Sequence, residues 1–376
     1  MRNLGYFKDV KITKNQGVAR NQIDLTIEVV EQKTGELNFG IGYSTVDGAN
    51  VNIGIKEKNL MGTGRNLSFD WLYSQYTGKV NFGYGKPYFM NRDLFAGFDL
   101  FYVDEKNRDS ISYDKLSFGG SLNTGYNITE YLSQRVYYNY FREEISNLDS
   151  NYTNIITAGN TITSSIGQSL AYDRRDNIYN PHNGFYLKWT LDYAGVGGDK
   201  YFTKNTGKFS AYTPVYFENL IFKIGLRGGN VDGNGEALNP NDGFYLGGYS
   251  LKGFEYAGIG PRTIDSVTNS PKNGKAIGGK NYYVGEAELK FPLGFPKEYQ
   301  ISGSLFINAG TVTGVDDDVN LNKALIADTG SIRSAYGFNI SWISPMGPIG
   351  LDFSNVIKKE SYDIEENFRF SFGSNF

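Results

Sequence analysis

The sequence predicts an all-β fold, a 16-stranded antiparallel transmembrane β-barrel behind a short N-terminal remnant of another domain. Three observations carry that expectation. From about residue 36 onward, apolar and polar residues alternate over runs of about 10–13 positions, longer than the ~5–6 residues of ordinary strands. Aromatic residues reach 15%, with Tyr 29, Phe 26 and Gly 47, yet mean hydropathy is only -0.41. No stretch of about 18 apolar residues occurs, so no helix can cross a bilayer. Strands with one face in lipid and the other in a wet lumen reconcile a heavy aromatic load with a polar average.

The alternation reads directly off the chain. Phe368, Phe370, Phe372 and Phe376 share one face of the last segment, and Arg369, Ser371, Gly373 and Asn375 share the other. Leu67, Phe69, Trp71 and Tyr73 repeat the pattern, as do Val80, Phe82 and Tyr84, and every second residue from Ile332 to Trp342. A soluble sandwich with one buried face would alternate too, but its strands would be shorter. In order, the expected strands are 36–46, 49–58, 64–75, 78–87, 93–104, 113–126, 131–145 and 160–173. They continue with 184–195, 204–217, 219–230, 281–291, 300–309, 331–343, 347–355 and 366–376. The even number suits a single-chain bacterial barrel.

Short turns at Asp47-Gly48, Met61-Gly62-Thr63-Gly64 and Glu218-Asn219 alternate with longer connections, as barrels with unequal ends require. Two connections stand out: 231–280, rich in Gly, Asn and Pro, and 310–330, which holds Asp316-Asp317-Asp318. A loop of some fifty residues in a compact fold is usually functional; here it caps the barrel or folds into its lumen. The acidic run lacks the spaced ligands and turn glycine of a calcium loop and reads as a solvated loop. Residues 1–34 differ: Tyr6–Ile12 and Ile23–Val29 look like two strands of a small domain that cannot bury a core alone. The opening Met1-Arg2-Asn3-Leu4-Gly5-Tyr6 lacks the apolar core of an export signal, which suggests a piece of a longer chain.

Other classes drop out on composition. A net charge of -3 without a basic stripe argues against nucleic acid. With no cysteine and one histidine, no nucleophile–base pair can be assembled, so neither an enzyme nor a thiolate metal site is expected. His182, between Pro181 and Asn183, has no ligand spacing around it and is not read as a metal site. No cofactor is implied.

Four stretches, in order along the whole chain, resemble the BamA family, the central subunit of the bacterial outer-membrane insertion machine. Gly5-Tyr6-Phe7 through Glu28-Val29-Val30-Glu31 is similar to the end of the last POTRA domain, and runs into Leu37-Asn38-Phe39-Gly40-Ile41-Gly42-Tyr43, similar to the first barrel strand. Asp173-Arg174-Arg175-Asp176 with Pro181 and Gly184 is a motif of the wider superfamily. Gly247-Gly248, Leu251-Lys252-Gly253-Phe254 and Ile259-Gly260-Pro261 resemble the loop-six motif, in the family Val-Arg-Gly-Phe. Ile332-Arg333 through Ser344-Pro345-Met346-Gly347-Pro348-Ile349, and on to Phe376, completes the set.

The resemblance implies a POTRA end at 1–34, a barrel at 35–376 with loop six at about 231–280, and residence in the outer membrane of a Gram-negative bacterium. It implies insertion of other barrels without nucleotide or cofactor, an incoming strand adding to the edge of strand one at a lateral gate. The gate residues are then Leu37, Phe39, Gly40, Ile41 and Gly42 on one side, and Phe368, Phe370, Phe372, Gly373 and Phe376 on the other. Gly40 and Gly42 lie on the lumen face, where strand-interior glycine weakens pairing, and Gly373 can do the same across the seam. The terminal segment also resembles the signal by which barrels are recognised, which makes the protein a client of its own machine. Implied partners are outer-membrane lipids and nascent barrel clients, with accessory lipoproteins and periplasmic chaperones reached through POTRA domains.

Loop six departs from the family. The motif's arginine, which meets acidic residues on strands twelve and thirteen, is Lys252 here, and the matching wall positions are Lys290 and Asn308. Alternation places Glu286 and Glu288 on the lumen face, so Lys252 is expected to pair with one of them, less rigidly than arginine's fork would. Asp173, Arg175 and Asp176 are expected to brace the hairpin between strands eight and nine rather than to catalyse. The competing function is a dedicated secretion pore of the same superfamily, either a two-partner transporter or the translocator of a patatin-type autotransporter. Residues upstream separate the readings: tandem POTRA domains for one, an enzyme domain for the other. A diffusion porin explains neither residues 1–34 nor the loop-six motif.

Overall fold

The computed structural model describes residues 6–17, 22–150, 156–178, 180–236, 238–265, 267–315, 326–344 and 347–373. Strands β1 (Phe7–Gln16) and β2 (Ile23–Glu31) form an antiparallel hairpin outside the barrel, paired from Gln16↔Ile23 to Phe7↔Glu31. Its end leads straight into the wall.

The wall begins with β3 (Gly35–Ser44), β4 (Gly48–Glu57), β5 (Asn66–Ser74), β6 (Thr77–Lys86), β7 (Phe95–Glu105) and β8 (Asp114–Asn127). It continues through β9 (Leu132–Ser146), β10 (Gly159–Asp173), β11 (Gly184–Ala194), β12 (Phe202–Val215) and β13 (Phe217–Asp232). A two-residue β14 (Arg262–Thr263) lies within the next connection, followed by β15 (Asn281–Pro292) and β16 (Ile301–Thr313). The short β17 (Ile326–Ala327) pairs with β14, and β18 (Arg333–Ser344), β19 (Gly347–Lys358) and β20 (Phe368–Phe372) finish the chain. Among the described residues, β3–β13, β15, β16 and β18–β20 close into one barrel of sixteen strands, each antiparallel to its neighbours.

Alternation positions the side chains as the pattern requires. On β18, Arg333 and Ala335 are fully buried toward the lumen while Tyr336 is 52% exposed on the outside. On β3, Leu37, Phe39, Ile41 and Tyr43 all point out, Leu37 at 74% exposure. An outward apolar face is tolerable only against lipid, and every backbone group there must find a partner within the wall, which closure supplies.

Strand boundaries lie within a few residues of the sequence reading, with two corrections. The turn expected at Glu218-Asn219 lies earlier, at a fully exposed Tyr216 with φ +65°, and Val215 pairs with Phe217 across it. The last strand, expected over 366–376, is described only as Phe368–Phe372. Gly373 leaves it in the left-handed region at φ +65°. Phe376, Asp316 to Asp318, Pro345, Met346 and Gly5 lie outside the described residues.

The connection 233–280, called loop six below, leaves the barrel end away from the β1–β2 hairpin and folds back into the lumen. Its Leu246, Leu251, Phe254 and Ile259 form one buried apolar cluster with Val284, Val312 and Ala335 of the wall. Burying these four side chains is what holds a loop of this length in a single place, at roughly 1.5–3 kcal/mol for each large aliphatic or aromatic group removed from water.

Candidate functional site

The site is built where the barrel closes. β3 is paired along its whole length with β4, from Gly35↔Glu57 to Ser44↔Gly48. On its other side it meets β20 at only two positions, Ser371↔Ser44 and Phe372↔Tyr43. One further bond, Thr45 N–H to the Phe370 carbonyl at 3.1 Å, and the Thr45 hydroxyl to Glu366 at 2.9 Å, extend the closure upward. Residues 35–42 have no ladder partner on β20 among the described residues.

Glycine makes this narrow closure possible. A Cβ on Gly42 would run into the Phe372 carbonyl, and one on Gly373 into the carbonyl of Ile41. The two strands thus cross at backbone distance, with Gly373 in the left-handed region at φ +65°. Of the expected gate residues, Ile41 and Gly42 meet Gly373 here, and Phe372 pairs with Tyr43. Leu37, Phe39 and Gly40 lie on the unpaired stretch, and Phe368 and Phe370 face outward on β20, paired with Phe353 and Leu351 of β19.

Loop six fills the lumen beside this seam, and here one expectation is corrected. Lys252 does not pair with Glu286 or Glu288. Its Nζ lies 3.2 Å from Asp352 Oδ1 on β19 and 4.4 Å from the Phe306 ring centroid. Both glutamates are held instead by Lys223 of β13, at 2.9 Å from Glu288 and 3.4 Å from Glu286. The reason is register: Lys223 sits directly opposite Glu288 across the β13–β15 ladder, and a cross-strand neighbour outcompetes a loop side chain. Asn308 faces Glu286 across β15–β16, buried, and its Oδ1 accepts no hydrogen bond among the described residues. Lys290 donates to Asn180 at 3.0 Å.

Next to Lys252, Gly253 has φ +93°, and a Cβ there would lie 2.6 Å from Ala335 Cβ on β18. Gly253→Ala combines a left-handed backbone with an overlap against a packed wall and is expected to destabilise the seated loop by about 1–3 kcal/mol. Faster protease cleavage within 233–280, with the barrel itself intact, is the readout.

The turn after β10 is a brace. Arg175 donates from Nε and Nη2 to the two oxygens of Asp173, at 2.9 and 2.7 Å, and its guanidinium lies over Tyr186. Asp176 Oδ1 accepts the backbone N–H groups of Asn177, His182 and Asn183 at 2.9, 3.0 and 3.1 Å. Pro181 lies inside this turn, and Gly184 opens β11 at φ +100°. Burial pushes the Asp176 carboxyl up, but the N–H donors of Asn183, His182 and Asn177 outweigh it and hold the group below its ordinary value. A depressed carboxylate stabilises the fold above its unfolded pKa of about 4 and loses that contribution as pH falls through the folded value. Protection of the His182 and Asn183 amides, relative to intrinsic exchange at the same pH, is therefore expected to fall below about pH 4, and flat protection across that range would contradict the brace.

Sequence reasoning gave no role to Lys223, Asp352 or Asp363, and named Arg369 and Arg333 without their partners. Alternation on a single strand assigns each of them to the lumen or a loop but carries no information on which strand faces which.

Comparisons with known proteins agree with this architecture. A family model described as the Omp85 superfamily domain matches residues 59–376. The outer membrane protein assembly factor BamA of Neorickettsia risticii is 26% identical over 100% of this chain and 49% of its own length. The human sorting and assembly machinery component 50 homolog is 27% identical over 90% of this chain and 72% of its own. The crystal structure of BamA from Haemophilus ducreyi lacking POTRA domains 1–3 shares the fold, with a TM-score of 0.84 at 24% identity over 100% of this chain and 76% of that one. The chain spans about half the length of the bacterial relatives it matches. With the matching domain covering most of the barrel and BamA proteins among its homologues, this chain belongs to the Omp85 superfamily.

Proposed function

We propose that this chain is the membrane barrel of an outer-membrane protein assembly factor, which inserts other barrels by strand addition at the seam between β20 and β3. The observation that carries this reading is the two-residue closure, Ser371↔Ser44 and Phe372↔Tyr43, beside a β3 edge over 35–42 that has no ladder partner on β20 among the described residues. Unpaired peptide groups in hydrocarbon are expensive, so such an edge favours any incoming strand that satisfies them. Pairing of backbone to backbone is indifferent to side-chain identity, which suits one machine to many clients. No covalent step is needed, and the protein acts without enzyme chemistry, nucleotide or cofactor.

On this reading the β1–β2 hairpin is the end of the last POTRA domain, residues 1–34, and the barrel occupies 35–376. Its place is the outer membrane of a Gram-negative bacterium. Nascent barrels enter from the hairpin side, delivered by periplasmic chaperones and accessory lipoproteins that engage POTRA domains. Loop six occupies the lumen beside the seam, packed on the wall through Leu246, Leu251, Phe254 and Ile259.

Depletion of the full-length protein in its native host, with the other outer-membrane barrels quantified, tests the proposal. Loss across many unrelated barrels is expected. Loss of a single exported protein, with the remaining barrels at normal levels, would replace the insertase by a dedicated secretion pore.

A further inference from the structure

Loop six grips the barrel unevenly, and the two sides of the seam differ most. On the β20 side, the cross-strand pair Asp352↔Arg369 is tied twice to the same turn of the loop. Asp352 receives Lys252 at 3.2 Å. Arg369 reaches the other way: its Nη1 donates to the Gly248 carbonyl at 2.7 Å and its Nη2 to the Phe254 carbonyl at 3.3 Å. That turn is itself closed, because Gly248 N–H donates to the same Phe254 carbonyl at 2.9 Å. Glu366 orients the guanidinium, accepting from Nε at 3.0 Å and also from Nη2, and the Tyr249 ring lies 5.4 Å away. Arg369 is 3% exposed. A planar fork held between two fixed carbonyls and a carboxylate has little freedom left.

β3 has nothing comparable. Among the described residues, no hydrogen bond or ion pair joins it to loop six. Its lumen face beside the seam is Gly40 and Gly42, with Asn52 and Asn50 of β4 as neighbours. One jamb of the seam is bolted directly to the plug; the other reaches it among the described residues only at its upper end and indirectly, through Thr45 to Glu366 and through Arg108, which holds the Val46 carbonyl and Asp47 and lies over Tyr256 of the loop.

We propose that Arg369 is the positioning residue of the seam: it fastens the closing strand to loop six, so the seam opens by departure of β3 from a stationary β20. The inference rests on the reading of the seam as the client gate. It also makes loop six an anchor for that gate as well as a plug, through two backbone carbonyls at the ends of one turn.

These 376 residues contain no cysteine, so an engineered pair supplies the only thiols within them. In the full-length protein in liposomes, oxidative cross-linking of Ser44→Cys with Ser371→Cys reports the closed seam, because these residues are directly opposed. Thr190→Cys with Thr206→Cys, opposed on β11 and β12, reports barrel integrity. Arg369→Gln is expected to lower the initial rate of seam cross-linking about five-fold or more, the scale of losing a buried charged hydrogen-bond donor, with the control pair unchanged. Glu366→Gln keeps the cation but removes its orienting carboxylate and is expected to give a smaller, seam-only loss; it serves if Arg369→Gln fails to fold. Parallel loss at both pairs, or no loss at the seam in either variant, overturns the proposal. Client assembly is measured alongside. A loosened seam with normal client assembly leaves the clasp standing and removes the gate reading; lost assembly with an unchanged seam does the reverse.

Discussion

Oxidation of a chain carrying Ser44→Cys and Ser371→Cys is expected to stop client assembly, and reduction to restore it. The two positions are ladder partners at the closure, and antiparallel partners hold their Cα atoms about 4.5–5.5 Å apart, within the span a disulfide bridges without backbone movement. The bond would replace a closure of two residue pairs, breakable by thermal opening, with one that strand exchange cannot displace. Insertion by the oxidised protein should fall at least about ten-fold, because β3 can then no longer part from β20 to let an incoming strand pair between them. The Thr190→Cys and Thr206→Cys pair, cross-linked elsewhere in the wall, controls for oxidation itself and is expected to leave assembly intact. Full activity in the quantitatively oxidised seam variant would show that clients enter by another route.

The second large effect is on stability. Arg333 donates to Asp363 from Nε at 2.9 Å and Nη2 at 3.1 Å, and both side chains are completely buried. Arg333 Nη1 also donates to the Ser331 carbonyl at 2.8 Å, while Asp363 accepts the Glu360 N–H at 2.7 Å. Truncation to Arg333→Ala leaves an ionised carboxylate in the interior with its strongest partner gone, and is expected to cost about 3–5 kcal/mol. The damage should spread to the plug. The connection 359–367 that carries Asp363 also holds loop six, through Glu255 N–H to the Ile364 carbonyl, Ile364 N–H to Gly258, and Glu366 N–H to Gly253, at 2.9–3.0 Å. A lowered urea midpoint together with new protease cleavage in loop six is the expected pair of results. Replacing both partners at once, as Arg333→Met with Asp363→Leu, removes the stranded charge and should recover most of the loss. Equal destabilisation by the single and double variants would mean that packing, not charge, dominates the site.

Both effects concern features that the sequence displays only in part. The outward faces of β3 and β20 are legible in Leu37, Phe39 and Ile41 and in Phe368, Phe370 and Phe372, because a strand repeats every two residues and needs no distant information to do so. The seam glycines are legible as residues, but not the backbone crossing they permit. The loop-six motif is legible, yet its lysine finds Asp352 rather than Glu286 or Glu288, because Lys223 already occupies those carboxylates. The brace at Asp173, Arg175 and Asp176 could be anticipated because its partners lie within ten residues of one another.

What the sequence by itself determined is therefore local: sixteen alternating segments, their two faces, the places where the chain must turn, and the loop too long to be idle. From those, closure into a membrane barrel follows, since an apolar outer face and unsatisfied strand edges leave no other arrangement in lipid. Only the tertiary structure decided how many residues close the seam, which cation meets which carboxylate, and that Arg369 of the last strand reaches the carbonyls of loop six. The physical reason is register. Pairings between β13 and β15 across loop six, and between β20 and β3 across the entire chain, are set by how the whole wall packs, and a period of two repeats identically in every register that preserves the faces.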